Sequence, residues 1–170
     1  MKYGLISFFA FLFSCSIYAQ SLEVSDIYSN LPLIVINTNG QTIVDEPKIK
    51  ADIKIIYKGV SALNHYADSG NIYDGLCGIE YRGTYSQTLP QKPFGFETRD
   101  SLGNNNNVSL LDMPAENDWI LLANYNDKVF MRNTLAFHLF EKMGHYAPRT
   151  RICEVIVNAV SYTHLRAHET

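Results

Sequence analysis

An α+β fold, mostly strand with one long helix, is what this sequence predicts. Three observations carry that expectation. Lys48–Lys58 and Arg149–Asn158 alternate in hydrophobicity with the period of a half-buried strand. A single run, about Lys128–Met143, repeats its apolar residues at helical spacing. The elements also do not alternate strand with helix, which argues against a parallel α/β sheet. The composition is that of an ordinary globular chain, 46% hydrophobic and 18% charged. With 14 Lys+Arg against 17 Asp+Glu there is no basic excess, so nucleic acid is not an expected partner.

The first element is a targeting segment. Met1-Lys2 is a positive start, Leu5–Phe13 is a short apolar run, and small residues follow through Ala19-Gln20. The run is shorter than the roughly 20 residues a spanning helix needs. Its order is that of a secretory signal peptide cleaved after Ala19, so the protein is expected to be exported. A lipoprotein reading would place a lipid on Cys15 in Leu12-Phe13-Ser14-Cys15, but the bulky Phe13 stands where such sites prefer a small residue. No transmembrane segment is expected.

Leu31–Ile36 is a β-branched apolar run closed by the turn residues Asn37-Thr38-Asn39-Gly40. In Lys48–Lys58, Ile49, Ala51, Ile53 and Ile55 share one face. Gly59–Asn71 reads as an exposed loop. Tyr73–Gly83 and Lys92–Arg99 read as two strands joined through Thr84–Gln91, and Asp100–Asn107, with Gly103 and an Asn run, as a loop tip. Asp118–Ala123 is a buried strand or a short apolar approach. The helix follows, with Asn126 or Asp127 able to cap its first N–H groups and Gly144 able to end it. Its stripe is Met131, Leu135, Leu139 and Met143, widened by Phe130 and Phe137. Arg149–Asn158 is the last strand.

The C-terminal residues Ser161–Thr170, SYTHLRAHET, carry no strand pattern. They resemble the translation of a transposase-type sequencing adapter. In the frame GTC TCT TAT ACA CAT CTC CGA GCC CAC GAG, such an adapter encodes Val160–Glu169, and Ala159 straddles the junction. The tail is expected to add nothing to fold or function, and His164 and His168, although spaced i, i+4, are not taken as metal ligands. The expected division is therefore 1–19 signal peptide, 20–158 domain and 159–170 tail. Within the domain, Cys77 and Cys153 could pair after export or remain half-buried thiols, and the sequence leaves both open.

Three constellations have chemistry in them. Gly78-Ile79-Glu80-Tyr81-Arg82-Gly83-Thr84-Tyr85-Ser86-Gln87, followed by Gln91-Lys92-Pro93-Phe94-Gly95-Phe96-Glu97-Thr98, is a strand entering a Gly and hydroxyl-rich turn, with a returning strand that starts at a Lys. Such a turn can offer N–H groups to an anion and an ammonium beside it. By themselves the residues read first as a plain polar hairpin with solvated Arg82 and Lys92. Glu116–Lys128, running into Met131-Arg132-Asn133, gathers polar groups at a helix start, where anions are favoured. Tyr146–Arg151 places two cations in a helix-to-strand connection. No Walker loop, zinc spacing or nucleophile elbow is present.

Taken collinearly, these pieces resemble the CotH kinase family. The resemblance rests on Leu31–Ile36, Gly78–Gly83 with Ser86-Gln87, Lys92-Pro93-Phe94 with Phe96-Glu97-Thr98, and Asn117–Leu121. It continues through Asp127-Lys128, Met131-Arg132-Asn133, Met143-Gly144 and Ala147-Pro148-Arg149. Departures are Thr84-Tyr85 in place of a smaller or hydroxyl pair, Gln91 in place of a second Lys, and Ala159 where the family continues with Gly.

The resemblance implies the β-rich small lobe of an atypical protein kinase, incomplete at its C-terminus, that handles ATP with a divalent metal such as Mg. It implies that Arg82 and Ser86 border the phosphate channel, that Lys92 faces the phosphates and that Arg132 supports it from the helix. The catalytic aspartates are expected beyond Asn158, so no catalytic base and no metal ligand is assigned. The acceptor is expected to be Ser or Thr of a protein. The alternative is an exported β-rich binding or surface-anchoring module without catalysis, since fold does not fix function.

Overall fold

The computed structural model describes residues 26–169, with side chains described through Val160. The signal-peptide and Cys15 expectations fall on residues 1–25, outside the described residues.

Eleven strands and one α-helix follow in order: β1 Tyr28–Ser29, β2 Leu33–Asn37, β3 Ile49–Ile56, β4 Asn64–His65, β5 Tyr73–Tyr81, β6 Phe94–Arg99, β7 Val108–Ser109, β8 Ala115–Glu116, β9 Asp118–Leu122, α1 Arg132–Lys142, β10 Thr150–Val157 and β11 Val160–Glu169. Seven of them close a barrel in the order β10-β11-β9-β6-β5-β3-β2. Every pairing in it is antiparallel except β10 with β2, where Val155 lies opposite Ile34 and Ile156 opposite Val35. The α+β expectation is met.

Period-two alternation explains the interior. Ala51, Ile53 and Ile55 from β3, Cys77 and Ile79 from β5, Phe94 and Phe96 from β6, Trp119 and Leu121 from β9, and Cys153, Val155 and Val157 from β10 form one buried cluster. Phe96 and Trp119 stack with ring centroids 6.5 Å apart. No disulfide joins Cys77 and Cys153, and both thiols are fully buried rather than half-buried. Burial pushes the Cys77 thiol up to about 12, so it stays protonated and unreactive.

At four places the structure departs from the local expectations or adds to them. The helix begins at Arg132 rather than Lys128, because Phe130 has a positive φ of 57° and breaks the run. Asp127 still serves the helix start, its Oδ2 accepting the Arg132 N–H at 3.0 Å. The apolar stripe does not face a core: no residue of α1 is buried, and Met131, Leu135, Leu139 and Met143 are all exposed. Gly59–Asn71 is not a bare loop. It contains β4, which pairs with β1, and Asn64 is buried, donating to Leu31 O at 2.8 Å and accepting from Lys58 N at 2.8 Å.

The tail is the fourth. Val160–Glu169 lies as strand β11 between β10 and β9, with Ile152 opposite Arg166 and Leu121 opposite Ala167. Without it β9 and β10 would be two facing edges of a six-stranded curled sheet. Such edges offer unpaired backbone groups to any extended segment, whatever its side chains. Strand pairing here therefore tells nothing about where the codons of the tail came from.

Candidate functional site

The β5–β6 hairpin carries three of the four residues expected to handle phosphate. Arg82 N donates to Pro93 O at 3.1 Å, extending the ladder one step past the strands. Gly83 then turns the chain at φ 82°, a conformation that disfavours any side chain. The turn is close as well as left-handed, since a Cβ at Gly83 would stand 2.3 Å from Ser86 Oγ. Ser86–Thr88 forms a 3-10 turn, secured by Thr88 N and Thr88 Oγ1, both donating to Tyr85 O, at 3.0 and 2.7 Å. Ser86 Oγ reaches Arg82 O at 3.4 Å.

Lys92 returns the loop to the barrel. Its ammonium donates to the backbone carbonyl of Gln87 and lies 5.6 Å from the centre of the Tyr81 ring, a cation–π distance. Tyr81 is itself stacked on Phe94, with centroids 5.5 Å apart. Gln87 Nε2 donates to Asp45 Oδ1 at 2.5 Å, and Tyr81 N donates to Val44 O at 2.8 Å, so the segment before β3 grips the hairpin at two points.

Arg82, Ser86 and Lys92 are thus brought into one loop. Arg132 is not part of it. It stands at the head of α1 with its Nε 3.6 Å from Asp127 Oδ1 and its side chain 72% exposed. In the third constellation Arg151 acts on the fold, donating from Nε to Leu111 O at 3.0 Å.

Sequence reasoning passed over a second polar region, on the outer wall of the barrel. β5, β6 and β9 send Glu80, Glu97, Arg99 and Asp118 outward, because Ile79, Phe96, Thr98 and Trp119 point in. The register sets Glu97 opposite Asp118, and like charges so placed repel. Lys48, just before β3, resolves this. Its ammonium binds Glu97, lies 3.2 Å from Asp118 Oδ1 and 3.9 Å from Glu80 Oε1. Arg99 Nη2 reaches Glu97 Oε2 at 3.2 Å. Gly78 gives this arginine its place, since a Cβ there would meet the guanidinium at 2.4 Å. The wall forms an open cleft of about 740 Å³ lined by Glu46, Pro47, Lys48, Glu80, Glu97 and Arg99.

Protonation follows from these contacts. Burial pulls the Lys48 ammonium down, but hydrogen bonds to Glu97 and Asp118 outweigh it and hold the group above its ordinary value. Burial pushes Glu97 up, yet Lys48 and Arg99 together hold it below the usual carboxylate range. Glu80 goes the other way: burial, with Glu46, Glu97 and Asp118 nearby, raises it despite Lys48. Among the described residues no three His, Cys, Asp or Glu side chains are grouped to hold a metal ion, and no helix is long and apolar enough to cross a membrane. The only signal for this wall in the sequence was its outward strand positions, which do not say which strands are neighbours.

The family described as CotH kinase protein matches residues 79–164 of the 170, a span that takes in the hairpin, β9, α1 and β10. No curated protein matches the chain.

Proposed function

We propose, starting from the chain's membership of the CotH kinase family, that residues 20–158 are the nucleotide-gripping part of an exported atypical protein kinase. The family's function is kinase-like; the finer reading is that phosphate passes from ATP to Ser or Thr of a protein acceptor. The observation that carries it is the hairpin loop, where Arg82, Ser86 and Lys92 meet around a glycine turn inside the matched span.

Phosphoryl transfer is mostly positioning and charge stabilisation, so cations beside the phosphates matter more than covalent chemistry. An ammonium has three protons. Lys92 gives one to the Gln87 carbonyl, which leaves the others for phosphate oxygens. The exposed Arg82 adds a guanidinium suited to bidentate phosphate contact. The absent Cβ of Gly83 makes room for Ser86 Oγ, which sets a hydroxyl at the turn as a donor for a phosphate group. ATP with a divalent metal such as Mg supplies the transferable group. Among the described residues no three His, Cys, Asp or Glu are grouped to hold a metal ion, and the aspartates for that role are expected beyond Asn158. Arg132 supports the phosphates only if α1 approaches the loop; in its present turn it serves Asp127. Export by the 1–19 segment and an adapter origin for 159–170 belong to the same reading.

The test is metal-dependent transfer of labelled phosphate to a protein acceptor by the intact parent protein, beside a thermal melt. Lys92→Ala should lower transfer by roughly 10²–10³, as for loss of one electrostatic group in a partly dried site. Its stability should fall by no more than about 1 kcal/mol, the scale of one hydrogen bond or one cation–π contact at a part-exposed site. Wild-type-like transfer would remove Lys92 from the site. An intact protein that binds ATP but transfers nothing would favour the binding-module alternative.

A further inference from the structure

We infer that Asp45 is a positioning residue for Lys92, acting through Gln87, and this rests on the phosphate-facing role proposed for Lys92. The contacts form a closed ring. Asp45 Oδ1 accepts from Gln87 Nε2 at 2.5 Å, and the carbonyl of the same Gln87 accepts from the Lys92 ammonium. That ammonium rests 5.6 Å from the Tyr81 ring, and the Tyr81 N–H returns to Val44 O, next to Asp45, at 2.8 Å.

Residue 87 therefore has two jobs: its side chain is held from outside the hairpin while its backbone carbonyl holds the cation. A lysine on its four-carbon stem sweeps a wide volume unless something fixes the head. The Tyr81 face limits it on one side only. The direction of the Gln87 carbonyl decides where along that face the charge sits, and Asp45 is the group that fixes residue 87 from a separate part of the chain. A carboxylate is a suitable anchor, because a hydrogen bond to an ionised acceptor is stronger than a neutral one. Asp45 is exposed and outside every strand, so its removal leaves the barrel interior untouched.

The experiment uses the intact protein and two readouts. Without ATP, the rate at which an acetylating reagent modifies Lys92 is followed by mass spectrometry. With ATP, transfer is measured in a double-mutant cycle of Asp45→Ala and Lys92→Ala. Loss of one solvent-exposed hydrogen bond predicts about a threefold to tenfold rise in Lys92 acetylation and a fall of similar size in kcat/KM for Asp45→Ala. Asp45→Asn keeps an acceptor oxygen at the same place and should stay within about twofold of wild type in both. In the Lys92→Ala background Asp45→Ala should cost nothing further, because residues acting through one group are not additive. If Lys92→Ala abolishes transfer but Asp45→Ala is silent or additive, the inference fails while the proposed function stands. If Lys92→Ala transfers normally, the proposed role of Lys92 fails and takes this inference with it. Asp45→Ala and Asp45→Asn should melt with wild type, which separates positioning from folding.

Discussion

Lys48 and Lys92 sit beside the same two strands, β5 and β6, and the surroundings of their ammonium groups are opposite. Lys48 is surrounded by Glu80, Glu97 and Asp118, so its charge is already matched by carboxylates of the wall. Lys92 rests on a backbone carbonyl and an aromatic face, which steady the ammonium without neutralising it. The wall is a structural use of charge: one cation lets three outward carboxylates share a surface. The loop is a use of charge that leaves it on offer to an anion. Residue type, and even position relative to a strand, does not separate the two; partners do.

The sharpest way to break this comparison is to exchange its readouts. Lys92→Ala should reduce transfer by orders of magnitude and stability only slightly, and Lys48→Met should do the reverse. Removing Lys48 takes away the cation that Glu97, Glu80 and Asp118 share and leaves Arg99 on Glu97. Because the site is partly open, the expected loss is about 1–3 kcal/mol, below that for a fully buried broken pair. Urea denaturation checks it. Transfer by the folded fraction should remain within about twofold of wild type, a surface change away from the loop.

The pH dependence of stability sharpens the same contrast. Glu97 has its folded pKa held below its unfolded one, so its contribution is present above the ordinary carboxylate range and is lost as pH falls through the folded value. Lys48 has its folded pKa raised, so its contribution is complete below 10.5 and is lost as pH rises through the folded value. Both limbs should flatten in Lys48→Met, measured as melting temperature against pH. Glu80 has the opposite sign to Glu97. Its raised folded pKa favours the protonated form, so its ionisation removes stability as pH rises. Glu80→Gln should therefore stabilise the protein near neutral pH, and a loss there would mean that the contact with Lys48 outweighs burial.

The smallest effect is expected on α1, where apolar side chains make the same point as the lysines. Leu139 belongs to an evident helical stripe but is 54% exposed, whereas Leu121 is fully buried in the barrel. Leu139→Gln should change the stability of this chain by no more than about 0.5 kcal/mol. Leu121→Ala should cost about 2–5 kcal/mol. A large loss for Leu139→Gln would show that the stripe is covered in solution.

The sequence by itself determined what is set within a few residues. Alternation marks β3 and β10, because successive side chains of a strand face opposite ways. Gly83 and Gly144 mark left-handed turns, and the hairpin that holds Arg82, Ser86 and Lys92 together is local enough to be legible before folding. Only the tertiary structure decided which strands are neighbours. The parallel pairing of β10 with β2 and the capture of Val160–Glu169 between β9 and β10 depend on how the sheet closes. So does the wall, where Lys48 meets Glu97 and Asp118 from two other strands, and so does the grip of Asp45 on Gln87 from 42 residues away. Nor did the apolar stripe of α1 reveal whether anything lies against it. A periodic pattern states which side chains share a face, but what that face meets is settled by contacts between segments far apart along the chain.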